Sequence, residues 1–408
     1  MHHRDPPDMK PTGMLPRRTR TKVARTVNLH DEVDVTIDSL SNSGDGVARV
    51  DGRVLFVPRT APGDKARVHI RAAKKQWLKA RLVEVLEPGP DRVDAPCELF
   101  DECGGCDWQH VDYAAQLRTK REQLVETLVR IGELETPEVQ PVIAADPPWH
   151  YRNRVQGEAR EGRLHLHRRL SGEPVAVPRC LIADERINAR LAEGLPAGLQ
   201  GRVELALEGD EVVVRAAGER DQERGFTQVN DAMGERLMAL VLGAVADSDA
   251  PRVMDLYCGA GAWTVRIAQA HPDKHVLGIE LDAGSVQIAR QRGRDAGLKN
   301  LAFQNGRVES HIAALDPADS VCIVDPPRAG LDAAVVQRLR ERPAGTLVYV
   351  SCHPATLARD LKALGRRYTV QRIQPLDMFA QTSHLEVCVT LRASVATGDA
   401  VSEEPAEA

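Results

Sequence analysis

The sequence predicts an α/β protein: a C-terminal, mostly parallel, doubly wound Rossmann-like sheet, preceded by a small β-barrel and a mainly antiparallel central domain. Three observations lead there. From Pro251 onward, apolar runs alternate with helical ones, as in RVMDLYC, WTVRIAQA, HVLGIE, NLAFQN, SVCIVDPP and TLVYVSC; this is the pattern of repeated βα units. Between Asp31 and Leu86, short alternating runs are punctuated by Gly44, Gly46, Gly52 and Gly63, which predicts a five-stranded barrel. The length of 408 residues exceeds a single domain of roughly 100 to 200 residues.

Taken in order, residues 1–27 are rich in Pro, Arg and Lys without apolar periodicity, so a disordered basic arm is expected. The barrel follows over 28–88. Within it, Lys65 to Arg81 carries seven basic residues and no acidic one, with Trp77 in its midst. Such a run is either an RNA-contacting surface, with Lys74, Lys75 and Lys79 on phosphates and Trp77 on a base, or a strand edge protected by Lys. A central domain spans 89–224. It opens with a Pro-rich linker and CELFDECGGCDWQH, and Leu117, Leu124, Leu128 and Ile131 then predict an amphipathic helix over Asp112–Glu133. Arg-rich strands such as YRNRVQGEAR and GRLHLHRRL come next. The doubly wound domain covers 225–393, closed by the strand-like runs YTVQRIQPL and HLEVCVTL, and 394–408 is an acidic tail expected to be disordered.

Composition narrows the function classes. Hydrophobic residues make up 42% and charged ones 28%, ordinary for a soluble protein, and no apolar run approaches the roughly 20 residues of a membrane helix. The N-terminus lacks a signal-peptide core, so a cytoplasmic, monomeric protein without a membrane partner is expected. Eight cysteines in such a chain are metal or catalytic candidates rather than a disulfide framework. The net charge of −5 averages over unlike segments, for Pro147 to Arg179 alone holds seven Arg against three Glu. A local basic surface suffices for RNA.

The first strand of the doubly wound domain ends in Asp255-Leu-Tyr-Cys-Gly-Ala-Gly261, where Gly259 and Gly261 let backbone approach a ligand. The second strand ends at Glu280, suited to ribose hydroxyls, the third at Asn305, suited to an adenine edge, and the fourth at Asp325-Pro-Pro-Arg328. Together they place a nucleoside at the carboxyl edge of the sheet. The loop has neither the third glycine of a dinucleotide fingerprint nor a Walker lysine. S-adenosylmethionine, a sulfonium without phosphate, suits these acidic surroundings.

TLVYVSC ends in Ser351-Cys352-His353-Pro354 at the same edge. Cys258, Cys322 and Cys388 lie in or at the end of apolar strands and read as packing residues. A thiol facing a methyl donor points to carbon 5 of a pyrimidine, which is too weak a nucleophile until a thiolate adds at carbon 6. Glu386 is the candidate base for the proton at carbon 5. A second group, Cys97, Cys103 and Cys106 with Cys180 downstream, can ligate an iron-sulfur cluster or a structural zinc, and spacing does not choose between them.

Cys97, Cys103-Gly-Gly-Cys106, the FTQVN segment with Gln228, DLYCGAG, DPPRAG, VYVSCHPATLARD and HLE together resemble the RNA 5-methyluridine methyltransferases, from about Val27 to Leu391. The resemblance implies a class I methyltransferase domain, a TRAM RNA-binding barrel at the N-terminus, Cys352 as nucleophile and Glu386 as proton acceptor. It also implies Gln228, Tyr257, Glu280, Asn305 and Asp325 as cofactor-binding residues and the four cysteines as ligands of a 4Fe-4S cluster, ahead of zinc. Two positions depart: Ala262 and His353 stand where the family commonly has Asn. The expected reaction is methylation of uridine carbon 5, in 23S ribosomal RNA rather than transfer RNA, because the tRNA-directed relatives typically lack both barrel and cluster. The alternatives are 5-methylcytosine formation and a non-catalytic RNA-binding or ribosome assembly factor.

Overall fold

The computed structural model describes residues 27–169, 171–216 and 228–394. The basic arm, apart from Val27, and the acidic tail, apart from Ser394, lie outside the described residues. Three sheets are built, one per segment of the chain.

The first contains β1 (Glu32–Thr36), β2 (Ser39–Leu40), β3 (Gly46–Val50), β4 (Arg53–Val57), β5 (Lys65–Ala73) and β6 (Trp77–Glu87), in the order β1-β5-β6-β4-β3-β2. This makes six strands where five are expected. The run VDVTIDSL reads as one strand but bends at Ile37 and Asp38, whose N–H groups donate to Asp64 and Val47 carbonyls at 2.9 and 2.7 Å, so that β2 pairs with β3. Alternating side chains of these strands, among them Leu55, Val57, Val68, Ile70 and Leu78, form a fully buried core, as period-2 patterning requires.

The helix after the cysteine motif, α1 (Tyr113–Arg130), is capped by Asp112, whose carboxylate accepts from the Ala115 N–H at 3.1 Å. Leu124 and Leu128 are buried as expected, but Ile131 falls beyond the helix and is 40% exposed. Gln116 and Lys120 are buried in the same helix, because polar groups of the doubly wound domain, Gln381 and Asp377, face them. The central sheet runs β11 (Glu211–Ala216), β10 (Gly201–Glu208), β7 (Arg154–Arg160), β8 (Arg163–His167), β9 (Pro174–Ala176), all antiparallel. Helix α2 (Glu185–Glu193) contributes Ile187 and Leu191 to the core it shares with Val155, Leu164, Val203 and Leu205.

The third sheet has seven strands: β12 (Arg252–Leu256), β13 (His275–Glu280), β14 (Leu301–Asn305), β15 (Ser320–Val324), β16 (Thr346–Ser351), β17 (Tyr368–Leu376) and β18 (Glu386–Ala393). Their order is β14-β13-β12-β15-β16-β18-β17, with β12 to β16 parallel and β17 and β18 antiparallel at one side. The connecting helices are α4 (Ala262–Ala270), α5 (Ala283–Asp295), α6 (Val308–Ile312), α7 (Ala333–Glu341) and α8 (Pro354–Leu364), preceded by α3 (Asp231–Ala246). Strands β12, β15 and β16 are covered on both faces and nearly wholly buried, which accounts for their continuous apolar sequences. No helix among the described residues is long and apolar enough to cross a membrane.

Candidate active site and cysteine centre

Parallel pairing brings the strand ends into line. Leu256 pairs with Ile279 and Val324, and Glu280 pairs with Asn305. Tyr257, Glu280, Asn305 and Asp325 therefore share the carboxyl edge of the sheet, where ligands of open α/β folds bind. Strand β18 runs the other way: Ser351 pairs with Val387 and Val350 with Cys388. One step beyond this register lie Cys352 and Glu386, at the same edge, and the Glu386 carboxyl acts on the Cys352 thiol.

Beside that edge is a cleft of about 300 Å³ lined by Gln228, Asp231, Glu235, Asp255, Tyr257, Cys258, Gly259, Ala262, Trp263, Arg266 and Asp325, among others. Its cation, Arg266, is held by Glu235 at 2.6 and 2.8 Å, so the lining favours a cationic guest and repels phosphate. Two glycines shape the turn. Gly259 has φ 55°, and Gly261 has φ 73° with a Cβ position only 2.8 Å from Ala289 Cβ and 2.9 Å from Phe303 Cζ; neither tolerates a larger residue without strain. Tyr257 adopts φ 68° without being glycine, a left-handed conformation that a non-glycine residue holds at a cost and that clusters at functional sites.

Glu280 and Asn305 border the cleft without lining it. Glu280 accepts from the Gly259 N–H at 3.0 Å and from Asp282 N–H at 2.7 Å, fixing the glycine turn. The Asn305 amide donates to the carbonyls of Glu280 and Leu281 at 3.1 and 2.9 Å. Cys258, just past the end of β12, packs against the cluster of Val265, Val286, Ala289 and Phe303, as expected of a packing residue, and also lines the cleft, while Cys322 and Cys388 are buried.

Three carboxyls follow one another below the edge. Burial, then Glu280, pushes Asp255 up to about 7, against a hydrogen bond from Thr264 Oγ1 at 2.6 Å. Desolvation, then Asp255, pushes Asp325 up to about 7. Glu386, only 3% exposed, is raised well above the usual carboxyl range by burial and then by Asp325. It is not an exposed strand-start carboxylate. Cys352 is partly exposed, and its thiol is raised by burial, Glu386 and Asp325 while Arg328 lowers it.

A second cleft, of about 1030 Å³, opens over Cys352. Its walls come from several modules: Arg71, Lys79 and Arg81 of the barrel, Gly104, Gly105 and Asp107 of the cysteine loop, Lys120 and Gln123 of α1, and Arg328, His353, Thr382 and His384 of the doubly wound domain. Of the four residues proposed for RNA contact, Lys79 lines it; Lys74, Lys75 and Trp77 lie outside, at the β5–β6 turn. Arg71 and Arg81, of the same basic run, line the cleft as well, whereas Lys65, Arg67 and Trp77, on the same outward parity of β5 and β6, do not; position along the strands, not charge, decides which members reach it. His353, one of the two departures from Asn, is the N-cap of α8: its Nδ1 accepts from the Thr356 N–H at 3.3 Å. An acceptor at that position is what the helix needs, and imidazole provides it. Ala262 opens α4, whose Gly261 cap has no side-chain hydrogen bond.

Cys97, Cys103, Cys106 and Cys180 line one cavity of about 670 Å³ together with Arg152, Arg154, Arg168 and Arg179. Burial raises the Cys106 thiol to about 12, and neighbouring Cys180, Cys103 and Cys97 add to the rise. The Arg59 guanidinium braces the loop by donating to the carbonyls of Phe100, Cys103 and Cys106, and the Gly105 N–H donates to Cys103 Sγ at 3.3 Å. Among the described residues no three His, Cys, Asp or Glu side chains close into a cage around a single ion. Four sulfur donors around one cavity are a donor set that suits either an iron-sulfur cluster or zinc.

A family model described as tRNA (uracil-5-)-methyltransferase matches residues 202–394, and a TRAM domain model matches residues 28–83. An uncharacterized RNA methyltransferase of Thermosynechococcus vestitus is 34% identical, covering 89% of this chain and 98% of its own length. One of Bdellovibrio bacteriovorus is 32% identical over 92% of this chain and 98% of its own. The crystal structure of Pyrococcus abyssi tRNA (uracil-54, C5)-methyltransferase in complex with S-adenosyl-L-homocysteine superposes with a TM-score of 0.66 at 23% identity, covering 88% of this chain and all of that one, which supports the fold. The chain belongs to the RNA 5-methyluridine methyltransferase family, as an RNA methyltransferase with an N-terminal TRAM domain.

Proposed function

We propose that the protein methylates carbon 5 of uridine in 23S ribosomal RNA, with Cys352 as nucleophile and Glu386 as base. The observation that carries this reading is the neighbouring pair Cys352 and Glu386 at the sheet edge: Cys352 opens on the large basic-walled cleft, and Asp325, which acts on both, lines the acidic one. Gln228, Tyr257, Gly259, Gly261 and Asp325 would hold the cofactor in the acidic cleft, with Glu280 and Asn305 fixing its rim. S-adenosylmethionine bound there supplies an electrophilic methyl carbon.

The Cys352 thiolate adds to carbon 6 of the pyrimidine, and the displaced π pair makes carbon 5 nucleophilic. After methylation, Glu386 takes the proton from carbon 5; the electron pair left behind re-forms the C5–C6 double bond, and Cys352 departs as thiolate. A carboxyl with raised affinity for protons is a stronger base once ionised, which suits this step. The target base must be turned out of its stack to enter, and Arg71, Lys79 and Arg81 are placed to hold flanking phosphates. Cys97, Cys103, Cys106 and Cys180 would hold a 4Fe-4S cluster, which would supply a cross-link between the loop at 97–106 and the segment around Cys180. Such a reaction belongs in the cytoplasm, where ribosomal RNA is available.

Transfer RNA is the second reading, favoured by the match to the Pyrococcus abyssi enzyme along 88% of the chain. Unmodified 23S rRNA and tRNA transcripts, incubated with methyl-labelled S-adenosylmethionine and digested to nucleosides, separate the two. Label in 5-methyluridine from 23S rRNA is expected. Label from tRNA alone would move the substrate, and label in 5-methylcytidine would overturn the base assignment.

A further inference from the structure

The segment that carries Glu386 into the site, residues 377–385, is held chiefly from outside its own domain. Its N-terminal end is fixed by α1: Lys120 Nζ donates to Asp377 Oδ1 at 2.5 Å and to the Phe379 carbonyl at 3.3 Å, and the Tyr113 hydroxyl donates to Asp377 Oδ2 at 2.8 Å. Its middle is fixed at Gln381, in the left-handed region at φ 67°. There the Gln381 carbonyl accepts from the N–H groups of Asp107 and Trp108 at 2.9 and 3.1 Å. The Gln381 and Gln116 amides are also joined reciprocally, Gln116 Nε2 to Gln381 Oε1 at 2.9 Å and Gln381 N–H to Gln116 Oε1 at 3.2 Å. Closest to Glu386, Asp107 Oδ2 accepts from both the N–H and the hydroxyl of Ser383, at 3.1 and 3.2 Å.

The other oxygen of Asp107 is held by Arg169 Nη1. Arg169 Nη2 in turn meets Asp45 at 2.9 Å in the β2–β3 turn of the barrel. All three side chains are about five-sixths withdrawn from solvent, at 16%, 16% and 13% exposure. Charge-assisted bonds in such a setting are stronger than exposed ones and fix geometry. Asp107 thus sits at a junction where barrel, cysteine loop and catalytic segment meet, on the wall of the cleft that holds Cys352.

We infer that Asp107 is a positioning residue for the second half of the reaction: by gripping Ser383 it sets Glu386 against carbon 5, while Arg169 ties that grip to the barrel. This rests on the assignment of Glu386 as base. Asp107 touches neither the thiol nor the cofactor cleft. Its loss is therefore expected to slow proton removal without slowing thiolate addition and methyl transfer.

Two assays read the halves separately. Covalent adduct formation with 5-fluorouridine RNA in the presence of S-adenosylmethionine needs attack and methyl transfer but no proton removal. Tritium release from RNA labelled at carbon 5 of uridine needs the base. For Asp107→Ala, tritium release is expected to fall about 10- to 100-fold, the scale of an ångström-level misplacement, while the rate of fluorouridine adduct formation stays within about threefold of wild type. Ser383→Ala, which leaves the cysteine loop intact, is expected to show the same split more weakly. In the double variant the two losses are expected not to add. Glu386→Gln is the control. If Glu386→Gln fails to split the assays, the base assignment falls. If it splits them while Asp107→Ala and Ser383→Ala slow both assays equally, or neither, the positioning role of Asp107 falls alone.

Discussion

The thiol of Cys352 lies between opposing influences: burial, Glu386 and Asp325 favour its protonated form, and Arg328 favours the thiolate. A raised thiol is a poorer nucleophile until it loses its proton. The sign of the pH dependence follows. Alkylation of Cys352 by iodoacetamide should rise with pH and reach half its limiting rate above the value of an ordinary free cysteine, about 8.5. Glu386→Gln removes a charge that raises the thiol and should lower that midpoint, whereas Arg328→Gln should raise it. Peptide mass spectrometry across a pH series checks all three, and a midpoint at or below that of free cysteine would contradict the arrangement. The same scale explains why His353 is tolerated: capping α8 asks for an acceptor near the Thr356 N–H, and both imidazole and amide offer one.

At the scale of elements, the loop carrying Cys97, Cys103 and Cys106 is fastened at its outer side by Arg59 and at its end by Asp107. Cys180 approaches from the central domain, packed with Cys97, Cys106 and Phe100. Protein purified without oxygen should carry about four irons per chain and absorb in the visible, and Cys106→Ser should lose the iron and unfold at lower temperature. Stoichiometric zinc with no iron would contradict the cluster. The elements themselves were largely legible, because strand period and Gly turns are local signals. The five parallel strands of the doubly wound sheet and the hairpin at its side stand where the apolar runs of the sequence are. The break of VDVTIDSL into β1 and β2 was not legible, since the bend is set by hydrogen bonds to Asp64 and Val47 far along the chain. Nor was the burial of Lys120, whose partner Asp377 is 257 residues away.

At the scale of the whole molecule, one cleft collects walls from barrel, cysteine loop, α1 and doubly wound domain. The net charge of −5 hides this arrangement, because the acidic cleft and the basic wall are each built from local sequence and partly cancel in the sum. Motifs in the sequence point to Cys352, Glu386 and the strand-end residues, and the strand register brings them to one edge of the sheet. The sequence did not indicate Asp107, Arg169 or Thr382, whose relation to the site depends on how separate modules dock; the only local signal was that Asp107 follows Cys106. The proposed covalent chemistry at Cys352 is what unites these features. The most direct measurement is mass spectrometry of protease- and nuclease-digested protein after reaction with 5-fluorouridine RNA and S-adenosylmethionine. The expected product is a methylated fluoropyrimidine nucleotide on the peptide containing Cys352, absent in Cys352→Ala. An adduct on another residue, or undiminished methylation of uridine RNA by Cys352→Ala, would contradict it.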